Sequence, residues 1–116
     1  MNNNQAAEAN LRQAVYQNNE TPTVASLRRA GCAVRVCHFR RVHNGYGPNG
    51  IESIEMALPD IRRNKLSERI LAKGGRTVIE IKFPDGKNYK GETICSKHDA
   101  FCRKEGIKFA IEKALK

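Results

Sequence analysis

The sequence has no tryptophan and only 6% aromatic residues, so it lacks the ring-rich signature of a sheet that stacks unpaired bases. Nothing approaches eighteen consecutive apolar residues, which leaves no candidate for a membrane-spanning helix. Its four cysteines, Cys32, Cys37, Cys95 and Cys102, have no paired spacing of the kind that builds a structural zinc site, and no metal is expected. The opening Met1-Asn2-Asn3-Asn4-Gln5 has neither the basic nor the apolar region of an export signal, so a cytoplasmic chain with reduced thiols is expected. The glycines of His43–Gly50 fit neither the P-loop nor the dinucleotide fingerprint and read as turn chemistry. No serine, histidine or acid sits in a recognisable catalytic motif, so a chain that is not an enzyme and needs no cofactor is expected.

What the chain has is positive charge. Its 116 residues, enough for a single domain spanning 1–116, carry a formal net charge of +9. The charge is not spread evenly. One block, residues 28–43, holds Arg28, Arg29, Arg35, Arg40 and Arg41 and no acid. A second, residues 61–76, holds Arg62, Arg63, Lys65, Arg69, Lys73 and Arg76 against Glu68 alone. The stretch between them is acidic. Dense cationic blocks of this kind suit an anionic partner, although charge runs also occur as plain solvated faces.

The pattern along the chain predicts an α+β fold: a small antiparallel β-sheet with an N-terminal helix and a C-terminal helix packed on it. Residues 5–18 suit a short amphipathic helix that frays at its tip, within an N-terminal stretch of 1–20, and Pro22 opens a second helical turn that Gly31 stops. Ala33–Val42 reads as a strand with mixed apolar and cationic faces, while Ile51–Leu58 has an ambiguous period. Asp60–Lys73 carries a weak helical pattern that Gly74-Gly75 would terminate. Residues 74–116 are the clearest. A strand over Arg76–Phe83 turns at Pro84-Asp85-Gly86-Lys87 and returns over Asn88–Cys95 as a hairpin. Ser96, three residues before Asp99, then has capping-box spacing for a last helix with Ala100, Phe101, Ile107, Ala110, Ile111, Ala114 and Leu115 on one stripe.

Binding of a small phosphorylated nucleotide needs convergent cations and one or two aromatic planes. The C-terminal unit offers Phe83 and Tyr89 on the hairpin, and Lys97, Phe101, Arg103 and Lys104 around the expected helix start. A lysine at that position opposes the helix dipole unless an anion lies nearby. An exposed Lys97 and a core Phe101 are the bland readings of the same residues.

The run Gly74-Gly75-Arg76-Thr77-Val78-Ile79-Glu80-Ile81, then Pro84-Asp85-Gly86, Gly91 and Cys95-Ser96-Lys97-x-Asp99-x-Phe101-x-Arg103-Lys104-x-Gly106, resembles the Thoeris anti-defence family of small phage sponge proteins. The resemblance covers about residues 74–116 and the basic strand at 33–43. It implies a non-catalytic homo-oligomer, a dimer or hexamer, acting in the cytoplasm of an infected bacterium. Such a protein evades host immunity by sequestering cyclic ADP-ribose-type signals, and in some members cyclic oligonucleotides. It further implies that Phe83, Phe101, Arg103 and Lys104 line a pocket to which Arg28 and the strand arginines of a neighbouring subunit contribute. Ile107 stands where an arginine is expected, which puts the ligand's identity in doubt. The site residues carried forward are Arg28, Phe83, Lys97, Phe101, Arg103 and Lys104, with a second basic patch of Arg35, Arg40, Arg41, Arg62 and Arg63. The alternative is a basic inhibitor of nucleic acid or nucleoprotein, such as an anti-CRISPR, with no membrane partner in either case.

Overall fold

The computed structural model describes residues 21–43 and 53–116. The helix expected over 5–18 and the glycine loop after His43 lie outside the described residues. Within them the order is α1 (Val24–Arg29), β1 (Ala33–His43), β2 (Ser53–Ala57), α2 (Leu58–Arg63), a 3-10 turn at Ser67–Arg69, β3 (Lys73–Lys82), β4 (Asn88–Ala100) and α3 (Arg103–Leu115). The four strands form one antiparallel sheet in the order β2-β1-β3-β4, with helices on either side of it in sequence. The expected α+β class holds.

Local chemistry explains most of the boundaries. Thr23 caps α1 reciprocally: its Oγ1 accepts from the Ser26 amide at 3.0 Å, and Ser26 Oγ accepts from the Thr23 amide at 2.9 Å. The β3–β4 turn closes where Pro84-Asp85-Gly86 placed it, with the Phe83 amide donating to the Lys87 carbonyl at 2.9 Å. In β1, alternation puts Val34, Val36, His38, Arg40 and Val42 on the face that α3 covers. Opposite them on β3 are Ile81, Ile79 and Thr77, and on β4 Tyr89, Gly91 and Thr93.

The core lies between that face and α3. Leu27, Ile79, Ile81, Phe83, Ala110, Ile111 and Leu115 are buried together. Each large apolar side chain so buried contributes about 1.5–3 kcal/mol. Two glycines let the helix come close. A Cβ on Gly91 would stand 1.9 Å from the Ala110 carbonyl oxygen, and one on Gly106 2.4 Å from Thr77 Oγ1.

Three expectations fail here. The helix over Asp60–Lys73 is a six-residue α2 and a 3-10 turn, because only Ile61 of that stretch has a fully buried side chain to hold a helix down. Gly74 and Gly75 do not end a helix; they lie inside β3 with φ of 80° and 112°. Ser96 does not cap the last helix, since β4 runs on to Ala100 and Cys102 is the N-cap, without a side-chain cap bond. Ala100 and Phe101 therefore precede α3 instead of belonging to its stripe.

The Gly91–Ala110 contact is tight enough to test. Gly91→Ala is expected to destabilise the fold by about 3 kcal/mol, by forcing α3 off the sheet. Chemical denaturation would measure it, and a neutral result would show that the helix is not seated there.

Candidate anion-binding groove

The site grows from a register break between β3 and β4. Gly75 pairs with Cys95 while Lys73 pairs with Ala100, so two steps along β3 are matched by five along β4. The surplus residues, Ser96 to Asp99, form a bulge. Ser96 Oγ accepts from the His98 amide at 3.2 Å, which is the local bond its side chain makes in place of a helix cap. Phe101 re-anchors the chain, its amide donating to the Ala72 carbonyl at 2.9 Å.

On β3 the break is absorbed by backbone that only glycine adopts without strain. It also needs room. A Cβ on Gly74 would lie 2.8 Å from Arg41 Cδ and 3.5 Å from Lys97 Cα, and one on Gly75 2.6 Å from the Phe39 carbonyl oxygen. The empty space over Gly74 is what lets the Arg41 stem pass beside the bulge.

The result is an open groove of about 670 Å³ lined by Arg41, Ser53, Leu71, Ala72, Lys73 and Lys97. Three cations from β1, β3 and β4 converge there with no acid in the lining. Arg41 is held in place: its Nε donates to Ser53 Oγ at 2.9 Å and its Nη2 to the Ser53 carbonyl at 3.4 Å. Those bonds use two of five guanidinium N–H groups, leaving donors for a ligand. Lys73 and Lys97 are exposed. A phosphate placed among them would meet three positive charges and one arginine of restricted geometry.

Beside the groove, under the first turn of α3, lies a polar cluster. His38 Nδ1 is hydrogen-bonded to Thr77 Oγ1 at 2.9 Å, and its ring meets Phe101 edge-on at 5.5 Å. Arg40 stacks over Phe101, 4.3 Å from the ring centroid, and donates from Nη2 to the Leu71 carbonyl at 3.1 Å. Burial pushes the His38 pKa below its ordinary value of 6.5, and the charges of Arg103 and Arg40 push it the same way. His38 is thus the neutral, buried member of a cationic neighbourhood.

The residues singled out from sequence scatter. Lys97 reaches the groove, but from the bulge and not from a helix turn, so the helix-dipole reading of it does not apply. Phe101 is a half-buried plug over Gly75 rather than a free stacking plane. Phe83, only 2% exposed, is core, set edge-on against Tyr89 at 5.5 Å, and presents no surface to a ligand. Arg103 and Lys104 are exposed at the start of α3 and do not line the groove. Arg28 donates to the Val34 carbonyl at 3.3 Å, and Val34 pairs with Ile81, roughly 26 Å along β3 from Lys73. A single chain does not bring Arg28 and Lys97 together.

The second patch divides as well. Arg40 lies on the α3 side of β1, whereas Arg35 and Arg41 lie on the other. Arg35 sits 4.0 Å from Glu80, Arg63 is paired with Asp60 at 3.3 Å, and Arg62 is exposed on α2. Lys73 and Ser53 were not among the singled-out residues. The signal for Lys73 was its place next to Gly74, read there as a helix end. Comparisons with protein-family models, curated proteins and solved structures gave no match for this chain.

Two outcomes are expected. Gly74→Ala should lose about 1–2 kcal/mol in denaturant titrations, while Lys97→Ala, on an exposed bulge, should stay within about 0.5 kcal/mol of the parent. Equal losses would contradict the register break as drawn. Because the folded His38 pKa lies below its unfolded value, the unfolded chain takes the proton first as pH falls. The stability His38 protects is therefore complete above about pH 6.5 and drains away as pH drops toward the folded pKa. Thermal melts should show that slope in the parent and a flatter one in His38→Gln.

Proposed function

We propose that the chain binds and sequesters a small phosphorylated nucleotide signal without degrading it, with the cationic groove as the seat of its phosphates. The convergence of Arg41, Lys73 and Lys97 at the bulge is the observation that carries the reading. The groove's size falls within the range of small-molecule sites, and Arg41 is oriented by Ser53 before any ligand arrives. Its groups hold a phosphate by charge and hydrogen bonds. The resemblance to Thoeris anti-defence sponges supplies the ligand class, cyclic ADP-ribose-type molecules with cyclic oligonucleotides beside them, and the setting, a homo-oligomer in an infected bacterium. Arg28, far from the groove in its own chain, fits that setting as a contribution from a neighbouring subunit.

A second reading rests on Arg62, Arg63, Lys65 and Arg69, all exposed along α2 and the turn after it. That run suits a nucleic acid backbone and an inhibitor that binds RNA or DNA.

One experiment separates the two. The protein is incubated with cyclic ADP-ribose isomers and cyclic di- and trinucleotides, washed, heat-denatured, and the released material identified by mass spectrometry. Recovery of an unaltered nucleotide, reduced at least about tenfold by Arg41→Glu or Lys97→Glu, is the expected result. Recovery of a chemically altered product, or of nothing, overturns the proposal. Salt-sensitive binding of long RNA or DNA, abolished by charge reversal at Arg62 and Arg63, would establish the second reading instead.

A further inference from the structure

Of the three large apolar side chains exposed among the described residues, one lies on a helix. Ile54 pairs with Val42 at the C-terminal end of β1, and Ile94 pairs with Arg76 on the sheet face opposite α3. Phe109, 43% exposed, stands on α3 itself. Glu105 lies four residues before it and Glu112 three after, a spacing that puts all three on one helix face. That face is not the one that packs on the sheet, where Gly106, Ala110, Ile111, Ala114 and Leu115 are buried. Glu105 has no ion-pair partner among the described residues.

The chain's own N-terminal side is tied to this stripe. Thr21, the first described residue, donates from Oγ1 to Glu112 Oε1 at 2.7 Å. Twenty residues precede it. Their pattern places Ala7, Leu11, Ala14 and Val15 on one helical stripe with Arg12 at its flank, and no proline or glycine interrupts residues 5–18. A helix of that length is marginal alone in water and is stable when its apolar stripe is covered. One ending near Asn18 is tethered to Thr21 by three residues, which span roughly 10 Å at most. Phe109 is one turn from Glu112, about 4.5 Å along the helix axis, and so lies within that reach.

We infer that the Glu105–Phe109–Glu112 stripe of α3 is the docking surface of the chain's own residues 5–18, folded as a helix that runs beside α3. Leu11 and Val15 cover the Phe109 ring, and Arg12 pairs with Glu105. The contacts fall in one order along both segments: Thr21 at Glu112, Val15 at Phe109, Arg12 at Glu105. Docking places α3 between the sheet and the N-terminal segment, with apolar side chains on both of its long faces. The stripe shares no residue with the lining of the cationic groove, so it stands whatever the groove binds.

Trypsin cleavage after Arg12 in the full chain reads the docking, because a docked helix is cut only when it opens. Leu11→Asp should speed that cut at least about tenfold over the parent. Phe109→Ala, at a half-exposed position, should speed it by a similar factor, and the two changes together no further. Glu105→Gln should speed it about threefold. Nuclear Overhauser contacts should join the Val15 methyls to the Phe109 ring within one chain, and a mixture of labelled and unlabelled chains should show none between chains. Equal cleavage in the parent and the variants would overturn the inference. So would acceleration by Leu11→Asp but not by Phe109→Ala, which places the segment elsewhere. Contacts found only between different chains would also overturn it, and would make a second copy the occupant of the stripe. None of these readouts involves an anion, so their failure does not touch the groove, and failure to retain a nucleotide would not touch this surface.

Discussion

Everything distinctive in this fold depends on two adjacent glycines that occupy left-handed backbone inside a strand. Gly74 and Gly75 let β3 turn under a β4 that carries surplus residues, and no other side chain fits there. The Arg41 stem, the Phe39 carbonyl and the Phe101 ring all stand closer than a Cβ on one of these glycines would allow without a shift. The cationic groove and the plug over Gly75 are thus consequences of a single register break.

The core beneath α3 is built in two halves. Toward the C-terminus of the helix it is apolar, with Ile79, Ile81, Phe83, Ile111 and Leu115 packed together and Gly91 admitting the helix backbone. Toward its N-terminus it becomes polar, with His38 bonded to Thr77, Arg40 over Phe101, and Thr93 lacking a partner. Fully apolar residues would be more stable in that second half. Local rules broken together at one end of a domain are the pattern of a functional or strained region. The groove lies beside that end, with Leu71 of its lining accepting from Arg40 of the polar cluster.

Short-range chemistry was legible in the sequence and long-range pairing was not. The short helix before Gly31, the strand at 33–43 and the Pro84–Lys87 turn follow from residues within a few positions of one another, although Thr23 and not Pro22 opens that helix. The stripe Ala110, Ile111, Ala114 and Leu115 was equally plain. Gly74-Gly75 was misread because glycine after a weak helical pattern means a helix end, unless a partner strand forces a bulge. That partner, Ser96–Asp99, is more than twenty residues away and itself imitates a capping box. Phe83 looked like a free ring because the sequence does not say which strand face α3 covers. The groove's cations were visible only as parts of separate blocks, since Arg41, Lys73 and Lys97 are brought together by the sheet alone.

The most direct measurement is a titration of the chain with inorganic pyrophosphate, followed by backbone amide shifts. Saturable shifts centred on Lys73, Gly74 and Lys97, with little movement along Arg62–Arg69, are what a groove built on the register break requires. Shifts that follow Arg62–Arg69 without saturating would contradict it, and would return the charge of this protein to a diffuse surface.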